Sequence, residues 1–224
     1  MKEEINSIKN LLYSGQKINV DLAISIMQGL GLTWNSAGFK EEKELIDLCG
    51  VDAFTKTDLN LSHNNISSLP KSIGELQHLV KLNLSHNNIS SLPKSIGELQ
   101  HLVKLDLDYN ELEVLPESIV QLQQIEVLWL SRNNLSSIPK SIGQLQHLEV
   151  LWLDHNNLSS IPKSIGQLQN LRSLILKDNI ISSIPKSIGQ LQNLKKLWID
   201  DNPISENEID KIKALLPNCK IIPM

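Results

Sequence analysis

Three of the four tryptophans recur at one spacing in the chain. Trp152 follows Trp129 by 23 residues, and Trp198 follows Trp152 by two steps of 23. Ile175 occupies the position between them. A tryptophan buries on the order of 150–250 Å² in a contact, and it is enriched among the residues that dominate binding at protein interfaces. We therefore predict an apolar surface that binds a protein or peptide. With two valines that precede tryptophans by two positions, its residues are Trp129, Trp152, Ile175, Trp198, Val127 and Val150.

These tryptophans also have a purely structural interpretation. Aromatic residues suit β-strands, and neighbouring rings on a sheet can cover one another without any partner. Trp129 and Trp152 share the context Glu-Val-Leu-Trp-Leu, so one of them can be a passive copy of the other. Trp198 stands in a different context, Lys-Leu-Trp-Ile, and is an independent occurrence. We therefore favour the binding interpretation.

Mainly polar side chains lie two and three residues after the tryptophan position in successive repeats. Ser131 and Lys177 belong to one such row, and Arg132 and His155 to the next. Acids predominate toward the C-terminal end, so a partner with apolar anchors and some basic residues would complement the surface. The polar residues predicted to contact this partner are Tyr109, Asp154, Asp178, Asp200 and Asp201.

Metal and catalytic chemistry are weaker alternatives. His86 follows His63 by one period, and Asp106 and Asp108 come next, so a shared metal is conceivable. However, residues 59–82 and 82–105 are identical, which makes the two histidines copies of each other. The chain also carries no specific nucleophile–base arrangement, phosphate-binding loop or metal-ligand spacing. We predict no metal, no cofactor and no enzymatic activity.

The elements that must position these residues are set by an asparagine that recurs with the same period. A fixed period between about 20 and 50 residues is the signature of a solenoid of stacked units. The amide of each asparagine, at the end of a strand, can satisfy backbone groups of the turn that would otherwise be buried unpaired. We therefore predict a structural role for this row, which comprises Asn64, Asn87, Asn110, Asn133, Asn156, Asn179 and Asn202.

Each unit reads as a short strand followed by a turn. Leu82 and Leu84 alternate with polar residues, which indicates one buried and one open face. Pro93 prevents the strand from continuing, and the Ser-Ile-Gly that follows supports only a helical or 3₁₀ turn. Because one unit cannot bury its own leucines, neighbours stack into a parallel sheet. Strands are narrower than turns, so the sheet should lie on the concave side.

The repeat resembles the 23-residue leucine-rich repeat class of plant intracellular Ras-group proteins, Scribble-like scaffold proteins and many bacterial proteins. The resemblance is carried by Leu-Pro-x-Ser-Ile-Gly-x-Leu at 69–76 and 92–99, with isoleucine first in later copies and Val120 replacing glycine in the third. It implies an α/β fold: a horseshoe-shaped solenoid with a concave parallel β-sheet and convex 3₁₀ or short helical turns. It also implies protein or peptide binding on the concave face, without a cofactor or catalytic residues.

Three regions follow from the pattern. Residues 1–53 have helical patterning and are predicted to form an N-terminal cap, and residues 54–204 hold seven repeats. Residues 205–224 are predicted to form a C-terminal cap. Within it, a capping box at Ser205–Glu208 begins a helix that Pro217 stops, and an edge strand can follow from Cys219.

Composition limits the classes of function. The net charge of −4 offers no basic field for nucleic acid, and no apolar run is long enough to span a membrane. The N-terminus lacks the apolar stretch of a signal peptide, so we expect a cytoplasmic protein, and the high lysine, isoleucine and asparagine usage suits a bacterial source. Alternatives to partner binding are a homodimer through the same strip, a glycan or lipid receptor, and an effector that binds a host protein. The protein would be a monomer or a homodimer.

Overall fold

The computed structural model describes residues 57–69 and 71–222. The predicted N-terminal cap over 1–53 and the beginning of the first repeat lie outside these residues. Eight short strands form one parallel sheet in sequence order. The strands are β1 Asp58–Asn60, β2 Lys81–Asn83, β3 Lys104–Asp106, β4 Val127–Trp129, β5 Val150–Trp152, β6 Ser173–Ile175, β7 Lys196–Trp198 and β8 Lys220–Ile222.

The turns opposite the sheet are 3₁₀ helices. Five of the six contain the Ser-Ile-Gly segment or its equivalent, and in the remaining one, Ile142–Gln144, the serine precedes the helix. The proline before the turn has the extended conformation in four of the six. Proline fixes φ and lacks an N–H donor, so it separates the strand from the turn. The segments are Lys71–Glu75, Lys94–Glu98, Glu117–Gln121, Ile142–Gln144, Lys163–Gln167 and Lys186–Gln190. The predicted solenoid of parallel strands and 3₁₀ turns is confirmed.

The core runs continuously between the sheet and the turns. Leu105, Leu128 and Leu151 pair in register on adjacent strands and are completely buried. Their neighbours along each strand point to the other face, because successive side chains of a strand alternate. The hydrophobic core therefore fixes which residues of every strand reach the concave face.

The repeating asparagines are buried and bonded to backbone groups of two repeats. The Asn133 side-chain amide donates to the carbonyls of Leu107 at 2.9 Å and Leu130 at 3.1 Å. Its side-chain oxygen accepts from the Leu112 N–H at 3.0 Å. Asn110 and Asn156 make the same contacts one repeat before and one repeat after. Each amide thus joins its own strand end to the preceding turn.

Val120 explains an irregularity on the convex side. At the equivalent Gly97, an added Cβ would lie 2.3 Å from the Ser118 carbonyl oxygen of the next repeat. Val120 has that Cβ, and the 3₁₀ helix of the repeat after it covers only the three residues Ile142–Gln144 instead of five. The added Cβ and its methyl groups thus account for the shorter 3₁₀ helix in the next repeat.

An α-helix and the eighth strand follow the last repeat. Helix α1, Glu206–Leu215, begins with a cap in which the Ser205 Oγ accepts from the Glu208 N–H at 3.3 Å. The helix packs on the last 3₁₀ turn through Ile209 and Ile212, which are buried. The predicted helix and edge strand are therefore present, while their role as a cap stays a prediction. No helix within the described part of the chain is long and apolar enough to cross a bilayer.

Candidate functional site

The tryptophan strip comprises the six apolar residues predicted from their spacing, and the structure places all six on neighbouring strands of one face. Trp129 pairs with Trp152, Trp152 with Ile175, and Ile175 with Trp198, all in register. Val127 pairs with Val150 beside them. The leucines between these residues are buried, so the strip necessarily faces outward.

The strip is half-buried rather than open. All six of its side chains have intermediate exposure. The rings of Trp129 and Trp152 lie 5.6 Å apart at an angle of 45°, so each covers part of the other. Within the described chain, the indole Nε1 atoms of Trp129, Trp152 and Trp198 are buried without a hydrogen-bond partner. Trp129 and Trp152 therefore cover part of each other and still expose part of their ring surface.

The sequence interpretation did not assign β8 to the strip. Ile222 pairs with Trp198 and has intermediate exposure, so it extends the apolar row by one strand. The step from Trp198 to Ile222 is one position longer than every earlier step in this row. The 23-residue period therefore does not predict that Ile222 belongs to this row. The edge strand predicted after Cys219 is the one feature of the sequence that points to it.

Three of the four predicted contact acids lie against a lysine or histidine side chain of the chain itself. Lys177 Nζ lies 2.6 Å from Asp200 Oδ2 and 3.1 Å from Asp201 Oδ2, and hydrogen bonds to these two carboxylates raise the pKa of Lys177. His155 Nδ1 contacts the Asp178 carboxylate. Lys177 thus compensates one of the two negative charges of Asp200 and Asp201.

The acids on the other flank of the strip are arranged differently. The Asp108 carboxylate accepts from the Ser131 N–H at 2.6 Å, and the Ser131 hydroxyl donates to Asp154 Oδ1 at 2.6 Å. Burial raises the pKa of Asp108 from 3.8 to about 6, opposed by the Ser131 N–H and reinforced by the nearby Asp106 carboxylate. Burial also raises the pKa of Asp106, against smaller opposing effects of the Asp108 N–H and His86. Their charged forms are therefore poorly stabilised by the protein alone.

A row of planar side chains borders the sheet beyond these acids. His63 and His86 stack with centroids 4.2 Å apart, and His86 and Tyr109 with centroids 4.1 Å apart. The Arg132 guanidinium lies 5.0 Å from the Tyr109 ring centre. All four residues have φ between 55° and 59°. This left-handed turn gives the whole row one orientation. Among the described residues, no three or more histidine, cysteine or acidic side chains form a cluster suited to a metal.

Comparisons with known proteins agree with this architecture. A family profile described as a leucine-rich repeat region matches residues 55–133 and 127–217. A leucine-rich repeat protein from Leptospira interrogans is 33% identical with a TM-score of 0.51, and the match covers 80% of this chain and 56% of that one. An internalin from Listeria monocytogenes is 19% identical with a TM-score of 0.58, covering 75% of this chain and 54% of that one.

A plant peptide hormone receptor, RGFR1 in complex with RGF2, is 28% identical with a TM-score of 0.58. That match covers 76% of this chain and 32% of the receptor chain, so the chain spans between a third and just over half of the three solved structures. No curated protein matches the sequence. The two profile matches together extend over most of the chain, and the described structure has the corresponding solenoid. The chain therefore belongs to the leucine-rich repeat family.

Proposed function

We propose that this chain is a non-enzymatic binding module that holds a protein or peptide on its concave face through the tryptophan strip. The observation that carries the proposal is the in-register row from Trp129 to Trp198 across β4 to β7. Parallel strands lie about 4.8 Å apart, so the four side chains of this row occupy about 15 Å of continuous apolar surface. This length suits a peptide segment with one or two large apolar side chains.

The binding mechanism rests on preorganisation. The strip residues lie on strands whose core leucines are completely buried, so little backbone freedom is lost when a partner binds. Apolar ring surface that is partly exposed in the free protein would become desolvated in the complex. The hydrophilic rows beside the strip would then set the orientation of a partner that carries basic residues. The solved plant receptor is itself described in complex with RGF2, which supports this use of a related solenoid.

The test is a double substitution, Trp152→Ala with Trp198→Ala, assayed by calorimetric titration against a partner identified with the wild type. We expect affinity to fall about 1,000-fold, because each truncation at an interface centre costs roughly 2 kcal/mol and tenfold in affinity corresponds to about 1.4 kcal/mol. Ile180→Ala is the matched control, since Ile180 is an apolar side chain, 59% exposed, outside the strip. Equal affinity of the double variant and the wild type would reject the proposal.

Two further measurements make the result specific. Circular dichroism and thermal unfolding establish that the double variant remains folded, and a Trp152→Phe, Trp198→Phe variant should retain most affinity because it keeps apolar rings. Light scattering at two protein concentrations separates partner binding from self-association. A dimer that dissociates when both tryptophans are replaced would show that a second copy of the chain occupies the strip instead.

A further inference from the structure

The acids around the tryptophan strip fall into two groups with different partners. At the β6–β7 end, Lys177 lies within ion-pairing distance of Asp200 and Asp201. At the β3 end, no lysine or arginine of the described residues forms an ion pair with the carboxylates of Asp106 or Asp108. The acids at the β6–β7 end are therefore partly compensated within the chain, and those at the β3 end are not.

The uncompensated acids directly adjoin the apolar surface. Asp106 pairs in register with Trp129, so the carboxylate is the next member of the tryptophan row. Asp108 and Asp154 both bond to Ser131, which lies two residues after Trp129. Two carboxylates from the flanking repeats are thus joined through one serine at the border of the strip, with Asp106 beside them.

Such an arrangement is costly for an isolated protein. Both Asp106 and Asp108 are partly buried, and burial without a counter-charge raises the pKa of each carboxyl group. A bound cation would stabilise the charged forms and add charge-assisted hydrogen bonds. Perturbed acids of this kind are characteristic of functional surfaces.

Lysines of one strand row lie at both ends of the strip. Lys196 and Lys220 pair in register on β7 and β8, and Lys81 and Lys104 pair in the same row on β2 and β3. The feature that distinguishes the β3 end is the pair of partly buried carboxylates, Asp106 and Asp108, without an ion-pairing lysine or arginine among the described residues. A cationic side chain of a partner is therefore attracted most directly to these two acids.

We propose that the occupant of the strip is a peptide segment of another protein in which a large apolar side chain is accompanied by an arginine or lysine. The apolar side chain packs on Trp129 and Trp152. The cation lies against Asp106 and Asp108, with Asp154 beside it. This inference rests on the proposed function and specifies the partner's chemistry and the place of its cation beside the strip.

The test uses a displayed library of short random peptides as the probe, selected in parallel against three forms of the intact chain. The wild type should enrich peptides with a large apolar residue and an arginine or lysine within a few positions of it. Asp106→Asn with Asp108→Asn should still enrich apolar residues but lose the basic enrichment. Trp129→Ala with Trp152→Ala should enrich neither.

The selections distinguish failure of this inference from failure of the proposed function. Apolar enrichment without a basic preference in the wild type would reject the cation site and leave the binding strip in place. No apolar enrichment, or no peptide selected at all, would reject both. Enrichment that survives replacement of the two tryptophans would also contradict both, because the peptides would then bind elsewhere.

Affinity measurements then test the site quantitatively. A synthetic peptide from the wild-type selection should bind about tenfold more weakly to the Asp106→Asn, Asp108→Asn variant, and its affinity should lose most of its salt dependence. Glu117→Gln is the control, because this carboxylate lies in a convex 3₁₀ turn and bonds to Ser141. An equal loss in the control, or no loss in the double variant, would refute the assignment.

Discussion

Replacing Asp108 by asparagine should stabilise the folded protein at neutral pH. The asparagine oxygen can still accept the hydrogen bond from the Ser131 N–H, which is 2.6 Å from the carboxylate in the wild type. The substitution removes only the negative charge that burial disfavours. Asp108 is therefore a position where the charge of a concave-face carboxylate reduces the stability of the fold.

The magnitude follows from the pKa of Asp108. A rise from 3.8 to about 6 corresponds to at most about 3 kcal/mol at about 1.36 kcal/mol for each pKa unit. Because the side chain is only partly buried, solvent screening reduces this to about 1 kcal/mol. A chain of this size should then gain about 2–4 °C in melting temperature near neutral pH.

The pH dependence has a definite sign. A carboxyl group whose pKa is higher in the folded than in the unfolded state binds protons more strongly when folded. Its contribution to stability is therefore lost as pH rises from about 4 to about 6, and the loss is complete above that range. The variant should match the wild type near pH 4 and exceed it from pH 6 upward.

Urea unfolding of both proteins between pH 4 and pH 8 measures this difference. Contributions of the other carboxyl groups largely cancel when the two midpoints are subtracted at each pH. Glu117→Gln provides the control, since it makes the same chemical change on the convex side. A difference between Asp108→Asn and the wild type that does not vary with pH, or a less stable variant at pH 7, would refute the reasoning.

Two further substitutions test the scaffold. Asn133→Ala should cost roughly 1–3 kcal/mol of unfolding free energy, because it leaves the Leu107 and Leu130 carbonyls and the Leu112 N–H without their partner. An unchanged melting temperature would contradict the structural role of this asparagine. Gly166→Ala should lower the free energy of unfolding by roughly 1–3 kcal/mol, because the new Cβ would lie 2.3 Å from the Ser187 carbonyl oxygen and overpack the turn. A higher melting temperature of this variant would contradict the close packing of the turns.

The sequence predicts the fold well because every repeat has the same buried leucines, asparagine and turn residues at the same positions. Leu128, Leu151 and Leu174 recur at one spacing, and each is completely buried in the structure. The period also predicts which residues share the concave face, since strands stack in register. It fails at β8, where the step becomes one position longer and places Ile222 beside Trp198. A repeat is predictable only as far as its period extends.

Which acids are compensated by a neighbouring lysine or arginine was harder to predict from the sequence. Rows of residues show which side chains face outward, but charge compensation depends on contacts between adjacent rows. Lys177 and Asp200 are one period apart and therefore neighbours across two strands, where their ion pair neutralises an acid predicted to meet a partner. Asp106 has no such neighbour among the described lysines and arginines, although its sequence neighbourhood is equally acidic. In a solenoid, each surface charge must therefore be considered together with the residues one period before and after it, because those are its neighbours across the strands.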